Sequence, residues 1–319
     1  MMQTDDNTGR IVAIFKDQAE LDSLSHLFEG FCNATLVKSG SEEFRETVSP
    51  KHGEPALITV TAPLYPDDEP GLVAALRRLY PMAEILLMTV ASDTLPQLNQ
   101  LAKDRVRHLL VAPNETSGDC STLQLAVARL AANKPWHLDN CVKAGTEIMA
   151  FHLQSAADKE GLITRLVKTI SGEEPEYELL RQRAALLADE MLENALYGAP
   201  QDQYGNKLFS KGEDRIVYAE EGILFRFAFD GVTLAMEIVD GWGTLHPDMV
   251  VDFLARNQEA APLDELEAGG RGLFIIWRFM DHLHINIKPG QRTVLGGHLK
   301  AVADFDPEAP RSFFISSGI

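Results

Sequence analysis

Glu190 and Asn194 lie four residues apart in a segment rich in helix-forming residues, Leu186 to Leu196, which contains neither glycine nor proline. On an α-helix this spacing places the two side chains on one face, one above the other. A carboxylate and a carboxamide in this arrangement can act as a proton acceptor and as a ligand for a hard cation such as Mg²⁺. Asp189 and Glu193 have the same spacing, so a solvated polar face is the alternative interpretation.

Asp240 follows an apolar run, Val232 to Val239, and precedes Gly241, Trp242 and Gly243. A carboxylate at the end of a strand can accept a hydrogen bond from the exocyclic amine of a ligand, and glycines leave space for the ligand's ring. Taken alone, this stretch favours the simpler interpretation, which is a turn after a strand.

Glycines at positions 269, 270 and 272 precede an apolar segment, Leu273 to Met280, in which Arg278 is the one charged residue. The pattern predicts a turn that leads into a buried helix. Free backbone N–H groups and the positive end of the helix dipole would meet there, and both favour a bound phosphate. Ordinary packing before a core helix is the alternative.

The order of these three stretches resembles the N-box, G1 box and G2 box of the GHKL ATPases, and most closely the anti-sigma-factor serine kinase branch. The resemblance covers roughly residues 137 to 305. It implies an α/β sandwich of the Bergerat (GHKL) type over residues 135–306, with ATP and Mg²⁺ as cofactors. It also implies Glu190 as general base, Asn194 as Mg²⁺ ligand and Asp240 as adenine contact. The other implied nucleotide contacts are Gly241, Gly243, Gly270, Arg271, Gly272, Leu273 and Thr293.

The chain departs from the family pattern Asp-x-Gly-x-Gly, which would place glycine at positions 242 and 244. Here those positions are Trp242 and Thr244, and the glycines stand at 241 and 243. The departure bears on the adenine pocket, because Trp242 stands where a nucleotide would lie.

Two functions are therefore expected as alternatives. One is a bacterial signalling regulator that binds ATP with Mg²⁺ and controls a protein partner, by serine/threonine phosphorylation or by nucleotide-dependent sequestration. The implied partner is an anti-sigma antagonist, a sigma factor or another signalling protein, and a homodimer is compatible. The other function is a non-catalytic interaction module with a residual nucleotide site. Autophosphorylation on histidine is disfavoured, because residues 135–150 are too short for a helical dimerisation segment.

Residues 10–134 contain five β-type runs that alternate with helical patterns, which predicts a doubly wound parallel sheet of the flavodoxin-like type. The runs are Ile11–Phe15, Thr35–Lys38, Ala56–Val60, Ile85–Thr89 and His108–Val111. The stretches Leu86–Thr89 and Leu110–Pro113 resemble the receiver domain of two-component response regulators.

The residues that a receiver needs for phosphoryl transfer are missing. The third run and its end, Ile58–Pro63, contain no acceptor aspartate, and Ala112 stands at the position of the lysine. Asp67 and Asp68 lie too far along the chain to substitute. The resemblance therefore implies a pseudo-receiver that offers a docking or dimerisation surface and is not phosphorylated.

The composition excludes some classes of partner. The 319 residues carry a formal net charge of −18, which argues against nucleic acid and anionic membranes. No apolar run approaches the roughly 18 residues that a membrane span requires, and the N-terminus is not a signal peptide. Three scattered cysteines fit neither a zinc site nor a disulfide framework. We expect a cytoplasmic protein.

Three further expectations concern the C-terminal half. Residues Thr244–Gly269 are expected to form a flexible lid, and residues 307–319 a tail. His282, His284 and His298 could suggest a metal, but their period-two placement predicts exposed histidines on a strand.

Overall fold

The chain is a mixed α/β protein, as predicted. The computed structural model describes residues 9–61, 71–90, 98–112, 121–258, 271–307, 309 and 311–318. It divides into two compact units, Met1–Pro135 and Trp136–Ile319.

The first unit contains a parallel sheet with the strand order β2-β1-β3-β4-β5. All five predicted β-runs form strands whose ends differ from the prediction by at most one residue. The strands β1 and β3 are buried along their whole length, as expected when helices cover both faces of a parallel sheet. The strands are β1 Ile11–Phe15, β2 Ala34–Lys38, β3 Leu57–Thr61, β4 Glu84–Val90 and β5 His108–Ala112. The helices are α1 Gln18–Leu24, α2 Glu42–Thr47, α3 Leu72–Leu79, α4 Leu98–Lys103 and α5 Ser121–Ala131.

The end of β3 carries no carboxylate within the described residues. Thr61 is the last residue of β3, and its hydroxyl donates a hydrogen bond to Glu20 at 2.7 Å. Asp17 accepts a hydrogen bond from the Glu20 amide at 2.9 Å and so caps the N-terminus of α1. Ala62, Asp67 and Asp68, which the sequence interpretation also used, lie outside the described residues.

The second unit contains a mixed sheet with the strand order β11-β9-β10-β8-β7-β6. Neighbouring strands are antiparallel, except that β11 is parallel to β9. The strands are β6 Met149–His152, β7 Leu224–Phe229, β8 Thr233–Asp240, β9 His282–Lys288, β10 Arg292–Lys300 and β11 Ser312–Ser317. The helices are α6 Asp158–Thr169, α7 Pro175–Glu193, α8 Pro247–Gln258 and α9 Arg271–Phe279.

The two faces of this second sheet are covered differently. The helices α7 and α9 lie on one face, where Phe313 of β11 contacts Trp277 of α9 with ring centroids 6.5 Å apart. The next residue, Phe314, points to the opposite face and stacks on Trp136 at 5.3 Å. On that face the segment 136–148 packs against Ala228 through Leu138 and neighbouring apolar residues. We call this segment the strap.

The prediction of exposed histidines is wrong. His282, His284 and His298 are 2%, 0% and 9% exposed, because the strap covers their face of the sheet. The ring of His282 lies 5.3 Å from that of His298 and 4.6 Å from that of Trp136. Period two correctly puts the histidines on one face, but it cannot show whether another segment covers that face. Within the described residues, no set of three His, Cys, Asp or Glu side chains is placed to hold a metal.

The predicted tail and lid also need correction. Ser312–Ser317 forms β11, so the second sheet extends beyond the predicted boundary at residue 306. The short run Phe313–Ile315 is buried, which explains why so brief a stretch pairs with β9. Within the expected lid, Pro247–Gln258 forms α8, whose residues Val250, Val251 and Leu254 are buried at helical spacing. Residues 259–269 lie outside the described part.

Among the described helices, none combines the length and the apolar character that crossing a membrane demands.

The buried histidines predict a loss of stability in acid. Burial lowers the pKa of His298 to about 4, and it also holds the pKa of His282 well below its usual value. The unfolded chain, with histidine pKa values near 6.5, binds more protons between pH 6.5 and 4, so stability falls as the pH falls through this window. We expect His298 alone to remove about 3 kcal/mol between pH 7 and pH 4.

Urea unfolding at several pH values, followed by tryptophan fluorescence, measures this effect. All three tryptophans, Trp136, Trp242 and Trp277, lie in the second unit, so the signal reports on that unit alone. The variant His298→Gln should show a shallower loss of stability between pH 7 and pH 4. A pH dependence identical to that of the wild type would contradict the prediction.

Candidate functional site

The predicted pair of polar residues, Glu190 and Asn194, lies at the C-terminal end of α7. After Glu193 the chain continues into one π-helical turn, Asn194–Gly198, in which the Ala199 amide donates to Asn194 O at 2.7 Å. Such turns often occur at functional sites. Asn194 itself keeps helical dihedral angles, so its side chain lies one turn above that of Glu190, as the sequence predicted.

Gly272, in the first turn of α9, lies against both of these side chains. A Cβ atom at this position would lie 2.7 Å from Glu190 Oε2 and 3.1 Å from Asn194 Nδ2. Real Cβ atoms essentially never approach a neighbour within 3.0 Å, so a side chain at position 272 would require the flexible end of Glu190 to shift. The structure therefore brings three of the predicted site residues together.

The two polar pairs of α7 differ in how the protein uses them. Lys159 Nζ lies 2.7 Å from Asp189 Oδ1 and 2.9 Å from Glu193 Oε1, and Lys211 Nζ lies 2.5 Å from Glu193 Oε2. In contrast, the carboxylate of Glu190 and the carboxamide of Asn194 form no hydrogen bond or ion pair with any described residue. Asp189 and Glu193 therefore belong to an ion-pair network, whereas Glu190 and Asn194 remain available to a ligand.

The surroundings of Glu190 raise the pKa of its carboxyl group. Burial has the largest effect, and the negative charges of Glu193 and Asp189 add to it. The positive charges of Lys211 and Arg271 oppose this rise without cancelling it. A carboxylate with a raised pKa is a better proton acceptor near neutral pH.

Asp240 is the last residue of β8 and is only 6% exposed. Its Oδ1 accepts hydrogen bonds from the amides of Trp242 at 2.9 Å and Gly243 at 3.3 Å. Burial nevertheless raises the pKa of Asp240 to about 6. Thr293 lies directly opposite Asp240 on β10, and its nearby hydroxyl slightly lowers this pKa.

The Thr293 hydroxyl is buried and makes no well-aligned hydrogen bond among the described residues. The indole Nε1 of Trp242 is likewise buried without a partner there. Buried polar atoms are nearly always hydrogen-bonded, so a polar ligand that reached either atom could supply a missing partner.

Gly241 and Gly243 have packing roles that the sequence did not reveal. A Cβ on Gly241 would lie 2.9 Å from the carbonyl oxygens of Glu220 and Glu221. Gly243 has φ +58°, and a Cβ there would lie 2.6 Å from Gln291 N. Both glycines therefore allow close backbone contact within the protein.

The structure places the remaining predicted nucleotide contacts in different surroundings. Arg271 begins α9, is half-buried, and lies close enough for its charge to act on Glu190. Leu273 is buried in the core, so its side chain is part of the packing. Gly270 lies outside the described residues.

A hydrogen bond connects the two groups of site residues. Thr244 Oγ1 donates to Ala199 O at 3.1 Å, which joins the turn after Asp240 to the end of the π turn after Asn194. Arg215 supports the same turn, because its Nη1 donates to Leu196 O at 2.6 Å. Neither contact has a signal in the sequence, because each joins segments that are far apart along the chain.

Comparison of the sequence with protein-family models gave no match, and comparison with curated proteins gave no significant match.

The glycines of this site predict a ranked series of stabilities. Gly243→Ala should cost more than about 2 kcal/mol, because it combines a left-handed φ with a collision against backbone. Gly272→Ala should cost only about 1 kcal/mol, because the Glu190 carboxylate can swing away from the new methyl group. The control Gly161→Ala, at an exposed position near the start of α6, meets nothing within 4 Å and should stabilise by about 0.4–1 kcal/mol.

Urea unfolding followed by tryptophan fluorescence gives all three values for the same unit. In addition, Glu190→Ala should relieve the cost of Gly272→Ala in the double variant. The close contact between α9 and α7 would be disproved if Gly272→Ala were as stabilising as Gly161→Ala.

Proposed function

We propose that residues 136–319 form a nucleotide-binding unit of the GHKL ATPase type that binds ATP with Mg²⁺. The chain would act as a signalling regulator that controls a protein partner, by phosphorylating a serine or threonine or by nucleotide-dependent sequestration. One observation carries the proposal: Glu190 and Asn194 lie stacked against Gly272, and their side chains form no hydrogen bond or ion pair with the described residues.

The residues present fit the proposed ligand group by group. The Asn194 carboxamide oxygen would be one ligand of Mg²⁺. When bound, this metal neutralises phosphate charge. The N–H groups at the start of α9, at Arg271 and Gly272, would bind phosphate. The Asp240 carboxylate and the Thr293 hydroxyl would hold the polar edge of adenine, which matches the burial of both side chains.

Glu190 would then act on the attacking hydroxyl group of the partner. Its carboxylate has no hydrogen-bonding partner among the described residues, and its raised pKa suits it to accept a proton. The proton would move from a serine or threonine hydroxyl to a carboxylate oxygen of Glu190 as the hydroxyl oxygen attacks the terminal phosphorus. The bond from that phosphorus to the oxygen bridging to the next phosphate would break, and ADP would leave.

We propose that the first unit is a pseudo-receiver that serves as a docking or dimerisation surface. Its strand order 2-1-3-4-5 supports a flavodoxin-like fold. A carboxylate is absent from the described end of β3, where Thr61 bonds to Glu20 instead, and this supports a unit that does not accept phosphate.

A second candidate function is a non-catalytic interaction module. The observation that favours it is the half-buried Trp242. This residue directly follows Asp240 and Gly241 in the chain, and its amide donates to Asp240 at the proposed adenine pocket. In such a module Glu190 would have no chemical role.

Substitutions at Glu190 and Asp240 separate the two candidates. Asp240→Asn should weaken ATP binding by about 1.5–3 kcal/mol, because a hydrogen bond to a buried charged group is lost. Glu190→Gln should leave ATP binding nearly unchanged and slow phosphotransfer to a partner by roughly two to four decades. Calorimetric titration with ATP and Mg²⁺ measures the first effect, and labelled ATP measures the second.

Asp189→Asn is the control for the loss of a nearby negative charge, because the Asp189 carboxylate bonds to Lys159 and acts on Glu190 only through its charge. If Glu190→Gln equals the wild type in every partner assay, the kinase activity is excluded and nucleotide-gated binding stands. If the wild type binds no nucleotide, the interaction module is the function that remains.

Asn194 is predicted to couple ATP binding to the metal. Asn194→Ala should remove most of the gain in ATP affinity that Mg²⁺ provides, and it should leave metal-free binding unchanged, because it deletes a proposed metal ligand only. Titrations with Mg²⁺ and with EDTA give the two affinities. Asn206→Ala, in a loop where Asn206 bonds to Asp202, is the control. An unchanged Mg²⁺ effect in Asn194→Ala would remove this residue from the site.

A further inference from the structure

Lys211 lies in the loop that leads from the π turn toward β7, and its backbone is held close to the end of α7. The Tyr197 hydroxyl donates to Glu213 O at 2.7 Å. Arg215 Nη1 donates to Leu196 O at 2.6 Å. Both contacts fall within four residues of Lys211, so the loop keeps this lysine next to the candidate site.

The two lysines that neutralise α7 are held with unequal strength. The Lys159 side chain is 19% exposed and contacts both Asp189 and Glu193. The Lys211 side chain is 70% exposed and contacts Glu193 at 2.5 Å. Exposed ion pairs contribute little to stability, and Glu193 would keep Lys159 as a partner if Lys211 left. Lys211 is therefore the lysine that can change partners.

The charge of Lys211 also acts on the proposed catalytic group. Burial raises the pKa of Glu190, and the charges of Lys211 and Arg271 oppose that rise, which places both cations within electrostatic reach of its carboxylate. Asp189, Glu190 and Glu193 together would repel a phosphate that approached Glu190. A cation on a flexible stem can offset this repulsion.

We propose that Lys211 distinguishes a nucleoside triphosphate from a diphosphate, by moving its ammonium group from Glu193 to the terminal phosphate. This inference rests on the proposed function, because the terminal phosphate must lie beside Glu190 and Asn194 for these residues to act on it. The diphosphate lacks the group that Lys211 would contact. Release of Lys211 from Glu193 would also remove a contact of the loop that carries Lys211, so this loop would respond to the bound nucleotide.

Calorimetric titration of the full chain with ATP and with ADP, both in Mg²⁺, tests the proposal. Lys211→Met should weaken ATP binding about tenfold and change ADP binding less than about twofold. Lys211→Arg should retain most of the ATP affinity, because it keeps the charge. Lys207→Met is the matched control, since Lys207 is an exposed lysine on the same loop.

The titrations distinguish failure of the Lys211 assignment from failure of the proposed function. Equal losses for ATP and ADP, or affinities equal to those of the wild type, would overturn the assignment of Lys211 while the nucleotide site stands. If the wild type binds neither nucleotide, the proposed function itself fails and takes this inference with it. The unfolding midpoint of Lys211→Met should match that of the wild type, because the substituted side chain is mostly exposed.

Discussion

The position of α9 against α7 is the constraint on which the candidate site depends. At one end Gly272 admits the side chains of Glu190 and Asn194. At the other end Arg183 of α7 donates to Phe279 O at 2.6 Å. The distance from residue 183 to 190 equals that from 272 to 279, about 10.5 Å on an ideal helix, so the two helices run antiparallel in matched register. Arg183 satisfies the C-terminal end of α9, where a cation is also favoured by the helix dipole.

This arrangement has an electrostatic cost that the surrounding residues offset. Arg183 is 3% exposed, and burying a guanidinium without compensation would be strongly unfavourable. Asp281 accepts from it at 3.3 Å, and the guanidinium carbon lies 3.9 Å from the centre of the Phe305 ring. Asp281 also accepts from Arg311, next to β11, at 3.3 Å. Asp281 therefore links Arg183 of α7 to Arg311, next to β11. These contacts hold the two helices to the sheet and keep the start of α9 beside Glu190.

Local patterns were sufficient to predict the five strands of the first unit and the pairing of Glu190 with Asn194, because helical spacing and apolar runs are properties of short segments. The contacts that decide the role of each residue are not local. The histidines of β9 and β10 are buried by the strap, which begins about 145 residues before His282. Gly243 is required by its close contact with the turn between β9 and β10. Neither the burial of the histidines nor the requirement for this glycine can be recognised from the neighbouring residues in the sequence. The strand β11 was missed because three buried residues are too few to show a period.

The proposed function does not require glycine at positions 242 and 244. Gly241 and Gly243 are needed for backbone contacts with Glu221 and with the β9–β10 turn, and glycine at these two positions serves the fold. In the proposed function, recognition of an adenine edge would depend instead on Asp240 and Thr293, whose side chains are buried. The same turn holds the amides of residues 242 and 243 on Asp240 Oδ1. The departure in sequence therefore changes how the turn is built while the carboxylate remains in place.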